Sequence, residues 1–98
     1  MVRHILLIKF KPNCSSEQLE AVRLAFTNMV QTVAGLSDVE WGKNDSPEGK
    51  NQGYSHCIMM TFCDDAARVA YLTHPEHLKA KEVFRPTLED IIVFDYSL

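Results

Sequence analysis

The chain has 98 residues, 46% of them apolar, and a formal net charge of −3. That length gives one domain, 1–98, with a single modest core, and the apolar share excludes a disordered chain. Lysine and arginine are scattered without a basic stripe, so no nucleic-acid partner is expected, and no membrane association either, since no apolar run approaches the ~20 residues of a span.

The opening MVRHILLIKFK is basic and apolar, as a signal peptide is, but lacks small residues at a cleavage site. Its β-branched and aliphatic residues, ended by Pro12, predict a first strand over 2–10. Ser15 or Ser16 then caps a helix, and SSEQ has the pattern of a capping box. Leu19, Val22, Phe26, Met29, Val30 and Val33 recur three and four apart, which extends this helix until Gly35 stops it. LSDVEWGK at 36–43 is a second strand, NDSPEGKNQG at 44–53 a polar hairpin loop, and YSHCIMMTF at 54–62 a third strand. Asp64 or Asp65 caps a short helix over 65–72. HPEHLKAKEVFRP is a further helical stretch broken at Pro86, and the chain ends in a strand over 90–98.

The order β-α-β-β-α-β predicts an α+β fold of the ferredoxin-like kind, four antiparallel strands with helices on one face. Its strands are apolar on both sides. Val2, His4, Leu6, Ile8 and Phe10 alternate with Ile5 and Leu7; His56, Ile58, Met60 and Phe62 alternate with Cys57 and Met59. In the last strand Ile92, Phe94 and Tyr96 alternate with Ile91 and Val93. The helices of one chain cover one face only, so the other predicts a homodimer with its sheets packed together. Three cysteines, an odd number without CxxC spacing, argue against a disulfide framework and a structural zinc site, and favour a reducing cytoplasmic location. Cys57 is expected to act as a small core hydrophobe.

Two of the four histidines lie in YLTHPEH, 71–77. Pro75 suits a first helical position, making His74 the N-cap and His77 the third helical residue. The positive end of the helix dipole disfavours imidazolium there, so His77 stays neutral, as a general base must. Tyr71 can offer a phenolic donor to a carbonyl or enolate oxygen. His4 and His56 each interrupt an apolar row on strands that should be neighbours, and they are expected side by side, needing polar partners. Each residue also has a structural reading: His74 as a cap, His4 as a satisfied core histidine, Trp41 and Tyr54 as packing residues. The acids at 64, 65, 89 and 90 read as caps and a solvated face. His74 and His77 have metal-ligand spacing but no obvious third ligand, so no metal site is expected.

VRHILLIKFK, WGKN at 41–44, SPEG with GYSH between 46 and 56, TF at 61–62, YLTHPEH, and RPTLEDIIVFDY at 85–96 together resemble the stress-responsive A/B barrel domain family, in family order over nearly the whole chain. The resemblance implies a dimeric α+β barrel. One plant member is a polyketide cyclase that closes a linear poly-β-ketide by intramolecular aldol condensation, with no cofactor. On that resemblance His77 stands where the cyclase has its base, Tyr71 where it has its tyrosine, and His4 and His56 where it has pocket histidines. Phe26, Ile58 and Leu88 are then expected to line a substrate pocket. Positions along the first helix that are aromatic in the cyclase are Arg23 and Phe26 here, and Leu88 stands where it has a large aromatic, so the pocket should suit a different ligand. Two functions are implied: a cofactor-independent enzyme acting on a β-dicarbonyl compound, or a non-catalytic dimer that binds small hydrophobic molecules or protects under stress.

Overall fold

The nine residues of β1 (Val2–Phe10) are mostly branched and aliphatic, and they form the centre of the sheet. The computed structural model, which describes residues 1–98, places β1 between β3 (His56–Phe62) and β4 (Leu88–Ser97), with β2 (Leu36–Lys43) beyond β3. All three pairings are antiparallel. The order β2-β3-β1-β4 is that of a ferredoxin-like sheet.

α1 (Ser16–Thr27) starts at Ser15 through a full capping box: Gln18 N–H donates to Ser15 Oγ at 3.1 Å, and Ser15 N–H to Gln18 Oε1 at 2.9 Å. The helix ends earlier than its periodicity predicts. A 3₁₀ turn follows over Asn28–Gln31, where Thr27 Oγ1 bonds back to the Arg23 carbonyl. The turn tightens the chain but keeps Met29 and Val33 buried, so the apolar period runs past the end of the α-helix. α2 (Asp65–Leu72) is capped by Asp64, and α3 (Pro75–Phe84) by His74 with Pro75 in its first turn. A short 3₁₀ turn, Arg85–Thr87, leads into β4, which begins two residues before its predicted start.

The helices cover one face only. There Val22 and Phe26 of α1, Ala80 and Phe84 of α3, and Tyr71 of α2 close on Val2, Leu6 and Ile8 of β1 and on Ile58, Met60 and Phe62 of β3. The opposite face carries Ile5, Leu7, Met59, Ile92, Phe94 and Tyr96, and Phe94 is 61% exposed on it. Cys57 lies on this uncovered face, opposite Leu7 and Gly42, and not in the core where the sequence placed it. No helix is long and apolar enough to cross a membrane.

The register corrects one expectation. His4 is opposite Met60, and His56 is opposite Ile8. The two histidines share a face of neighbouring strands but are four positions apart along them, about 13 Å at strand rise, and are not side by side.

Candidate active site

The stretch YLTHPEH, residues 71–77, builds one wall of a cavity through Tyr71, Leu72 and His77. Tyr71 lies in the last turn of α2, and its carbonyl accepts from His74 N–H at 3.0 Å. His74 then caps α3 by accepting Glu76 N–H on Nδ1 at 3.1 Å. This occupies His74 structurally and turns the chain so that His77, 8% exposed, packs over Tyr71, 1% exposed. Their ring centroids are 4.1 Å apart at an interplanar angle of 29°. His77 Nδ1 lies 3.2 Å from the Leu72 carbonyl oxygen. A carbonyl only accepts, so Nδ1 carries the proton and Nε2 keeps its lone pair.

Burial is the main cause that lowers the His77 pKa; the Lys81 charge and His4 add to it, against the Leu72 and Tyr71 carbonyls, which raise it. The direction agrees with a ring that is neutral near pH 7, and burial is its leading cause. Tyr71 is pushed well above the ordinary phenol value by burial alone. Its hydroxyl is buried and has no hydrogen-bond partner in the protein.

His4 approaches from β1, its ring centroid 5.9 Å from that of Tyr71. Its Nδ1 is 2.7 Å from Asp95 Oδ1 on β4, and Arg68 Nη1 of α2 donates to Asp95 Oδ2 at 3.1 Å. Arg68 also pairs with Asp65. A carboxylate accepts, so His4 donates from Nδ1, leaving Nε2 as its remaining polar atom. Sequence reasoning missed Asp95 and Arg68. The signal for Asp95 was an acid in an otherwise apolar strand, in phase with Ile91 and Val93; it has meaning only once β4 is paired with β1.

These groups border a cavity of about 330 Å³ between the sheet and the helices. His4, Tyr71 and His77 supply its polar groups, and Leu6, Phe26, Phe84, Leu88, Ile91 and Val93 its apolar walls, with Lys81 and Arg85 also on the lining. Of the residues singled out in the sequence, His77, Tyr71, His4, Phe26 and Leu88 therefore come together. Ile58 does not: it is fully buried in the core. His56 is also elsewhere, against Phe10 and Trp41 with ring distances of 5.2 and 5.1 Å, and its Nδ1 pairs with Ser55 Oγ. Its pKa is lowered by burial and by the Lys43 charge. A second hollow, of about 400 Å³, lies under the 44–55 hairpin and includes His56, Tyr54 and Cys57. Tyr54 donates to Asp90, and Lys9 Nζ sits 4.7 Å over its ring, so Asp90 is a partnered carboxylate and not only a solvated one. No three His, Cys, Asp or Glu side chains are grouped to hold a metal ion.

Comparison with known proteins matches residues 2–98 to the stress responsive A/B barrel domain. The chain belongs to this family. Among relatives of the A/B barrel protein, olivetolic acid cyclase from Cannabis sativa is 31% identical over 98% of this chain and 95% of its own. The stress-response A/B barrel domain-containing protein HS1 of Arabidopsis thaliana is 34% identical, over 98% of this chain and 88% of its own. Hydroxynitrile lyase from Passiflora edulis superposes with a TM-score of 0.91 at 25% identity, covering 99% of this chain and 92% of the other. The A/B barrel fold thus carries enzymes named for small-molecule reactions, and this chain has a small-molecule-sized cavity in the same fold.

Proposed function

We propose that the A/B barrel protein is a cofactor-independent, polyketide cyclase-like enzyme that acts on a small β-dicarbonyl compound within a homodimer. The observation that carries this reading is His77: a buried, neutral imidazole with its proton fixed on Nδ1 by the Leu72 carbonyl, bordering a mostly apolar cavity. Its Nε2 lone pair takes a proton from a methylene between two carbonyls. The resulting carbanion attacks a ketone carbon further along the same molecule, forming the carbon–carbon bond of an aldol. The oxygen of that ketone becomes an alkoxide and receives the proton back from the imidazolium. The Tyr71 hydroxyl, unpartnered in the protein, donates to the developing oxyanion in place of water. His4, fixed by Asp95, holds a polar end of the substrate. Olivetolic acid cyclase, as a relative covering nearly the whole chain, supports this class of reaction.

A second copy completes the molecule by covering the apolar face of the sheet. Related structures with a ferredoxin-like fold are described as dimeric proteins. The test of the chemistry is turnover of poly-β-ketides and other 1,3-dicarbonyls by wild type and His77→Ala. General-base catalysis typically contributes ~10²–10⁴-fold, so the variant should lose about that much while remaining folded. Equal turnover by the two proteins would remove His77 from the role of base.

The non-catalytic alternative has one observation in its favour: the 34% identical relative is named for stress response and not for a reaction. In that case a bound ligand is recovered unchanged, and His77→Ala alters affinity or stability only.

A further inference from the structure

α3 departs from an ordinary amphipathic helix on its inner side. His77, Ala80 and Phe84 are its buried residues, at helical spacing. Lys81 and Arg85 follow His77 by four and eight positions, on the same stripe, and both line the cavity. Neither side chain makes an ion pair or a hydrogen bond, whereas Lys79, on the same helix, pairs with Glu76. Glu82, the acid beside them, shares an outer groove with both but is not within ion-pair distance of either. Lys81 is half-buried, as a long side chain is when its apolar stem packs and its ammonium stays hydrated. Arg85 is exposed, and both border the cavity without a partner acid, so an anion bound there would give them charge-assisted hydrogen bonds that nothing in the chain supplies.

We infer that the cavity takes an anionic amphiphile, a carboxylate-bearing compound whose head group is held by Lys81 with Arg85 at the mouth while its apolar body lies between Phe26, Phe84, Leu88 and Val93. This rests on the reading of the cavity as the small-molecule site, and it adds the charge of the ligand. The arrangement has a consequence for the base. Lys81 lowers the basicity of His77, and a carboxylate held by Lys81 cancels that influence, so His77 becomes a stronger base when the ligand arrives.

Octanoate and the neutral octanamide, of equal chain length, separate the possibilities by calorimetric titration of the full chain. Wild type should bind octanoate at least tenfold more tightly than octanamide. Lys81→Met should lose most of that preference with little change for octanamide, and Lys81→Arg should retain it. Proton NMR of the His77 ring locates the event: octanoate should move its titration midpoint upward and octanamide should not. Equal affinity of wild type for the two probes overturns the anionic head group but leaves the cavity as a ligand site. A preference that survives in the doubly substituted Lys81→Met, Arg85→Met protein, or octanoate binding that leaves His77 unmoved, places the anion elsewhere and overturns the assignment. Binding of neither probe overturns both this inference and the small-molecule reading beneath it.

Discussion

Tyr71 and His77 contribute to function and stability in opposite directions. A buried hydroxyl without a partner costs the folded state about 1–3 kcal/mol, and Tyr71 has such a hydroxyl. Tyr71→Phe removes it without changing the ring stack on His77. The variant should melt at or above the wild-type temperature while turnover falls, because the oxyanion has lost its donor. A drop in both would mean that the hydroxyl is satisfied in solution, by water or by a neighbour. For His77 the folded pKa lies below the ordinary 6.5, so the unfolded state binds more protons between the two values. Stability contributed by the neutral ring is present above about 6.5 and is lost as the pH falls through this window toward the folded value. The rate should rise along an acid limb with an apparent pKa below that of free imidazole, then stay level until well past neutrality, since Tyr71 remains protonated. An acid limb unchanged in His77→Asn, measured on residual turnover, would assign it to another group. Asp95 acts at one remove. Asp95→Asn weakens the acceptor that fixes His4, so it should raise KM more than it lowers kcat.

At the level of elements, the sequence shows the strands and caps but not their alignment. The capping box at Ser15, the Asp64 cap and the His74-Pro75 start are local chemistry, readable within four residues, and each appears as expected. The parity of β1 and β3 was also legible, which put His4 and His56 on one face. Their separation was not, because register is set by how β1 meets β3 across the intervening α1 and β2, a non-local quantity. For the same reason Asp95 was invisible as a partner of His4: ninety-one residues separate them, and only the β1–β4 register joins them. Gly35 shows where a local reading was wrong about the helix, although the position does require glycine. It was assigned as the helix stop, and the α-helix ends eight residues earlier, yet Gly35 has φ +81° and a Cβ there would lie 2.5 Å from the Ala67 Cβ. It is required by its positive φ and by the close approach of the turn before β2 to Ala67 of α2. Gly35→Ala should destabilise the fold by roughly 1–3 kcal/mol, the range for overpacking, read as a lower denaturant midpoint with unchanged slope. A loss within a few tenths of a kcal/mol would show that α2 moves freely away.

On the scale of the whole molecule, thickness decides the argument. The chain spans 35 × 28 × 17 Å, and the thin dimension holds one sheet and one layer of helices. The broad uncovered face therefore meets water with Leu7, Ile92, Phe94 and Tyr96, all more than a third exposed, an apolar patch of the kind that marks an interaction surface. Arg3 strengthens this. It lies on that face between Thr61 and Tyr96, and one guanidinium nitrogen is already buried with no partner in the single chain; acceptors from a second copy would satisfy it. A stable pair needs ~800 Å² from each partner, an amount well within the 6018 Å² surface of the chain. Wild type should therefore sediment at twice the 11.2 kDa chain mass. Phe94→Asp puts a charge at the centre of the apolar patch and should shift the equilibrium to monomer at micromolar concentration, with circular dichroism preserved because no core contact is lost. The cavity lies on the other side of the sheet, yet β4 contributes to both surfaces: Asp95, Val93 and Ile91 lie on the cavity side, and Phe94 and Ile92 on the uncovered face. A monomeric variant should consequently bind octanoate more weakly as β4 loosens. If Phe94→Asp is monomeric and keeps full affinity, the site belongs to the single chain and the dimer serves only to cover the sheet; if wild type itself sediments as a monomer, the apolar face needs a different partner.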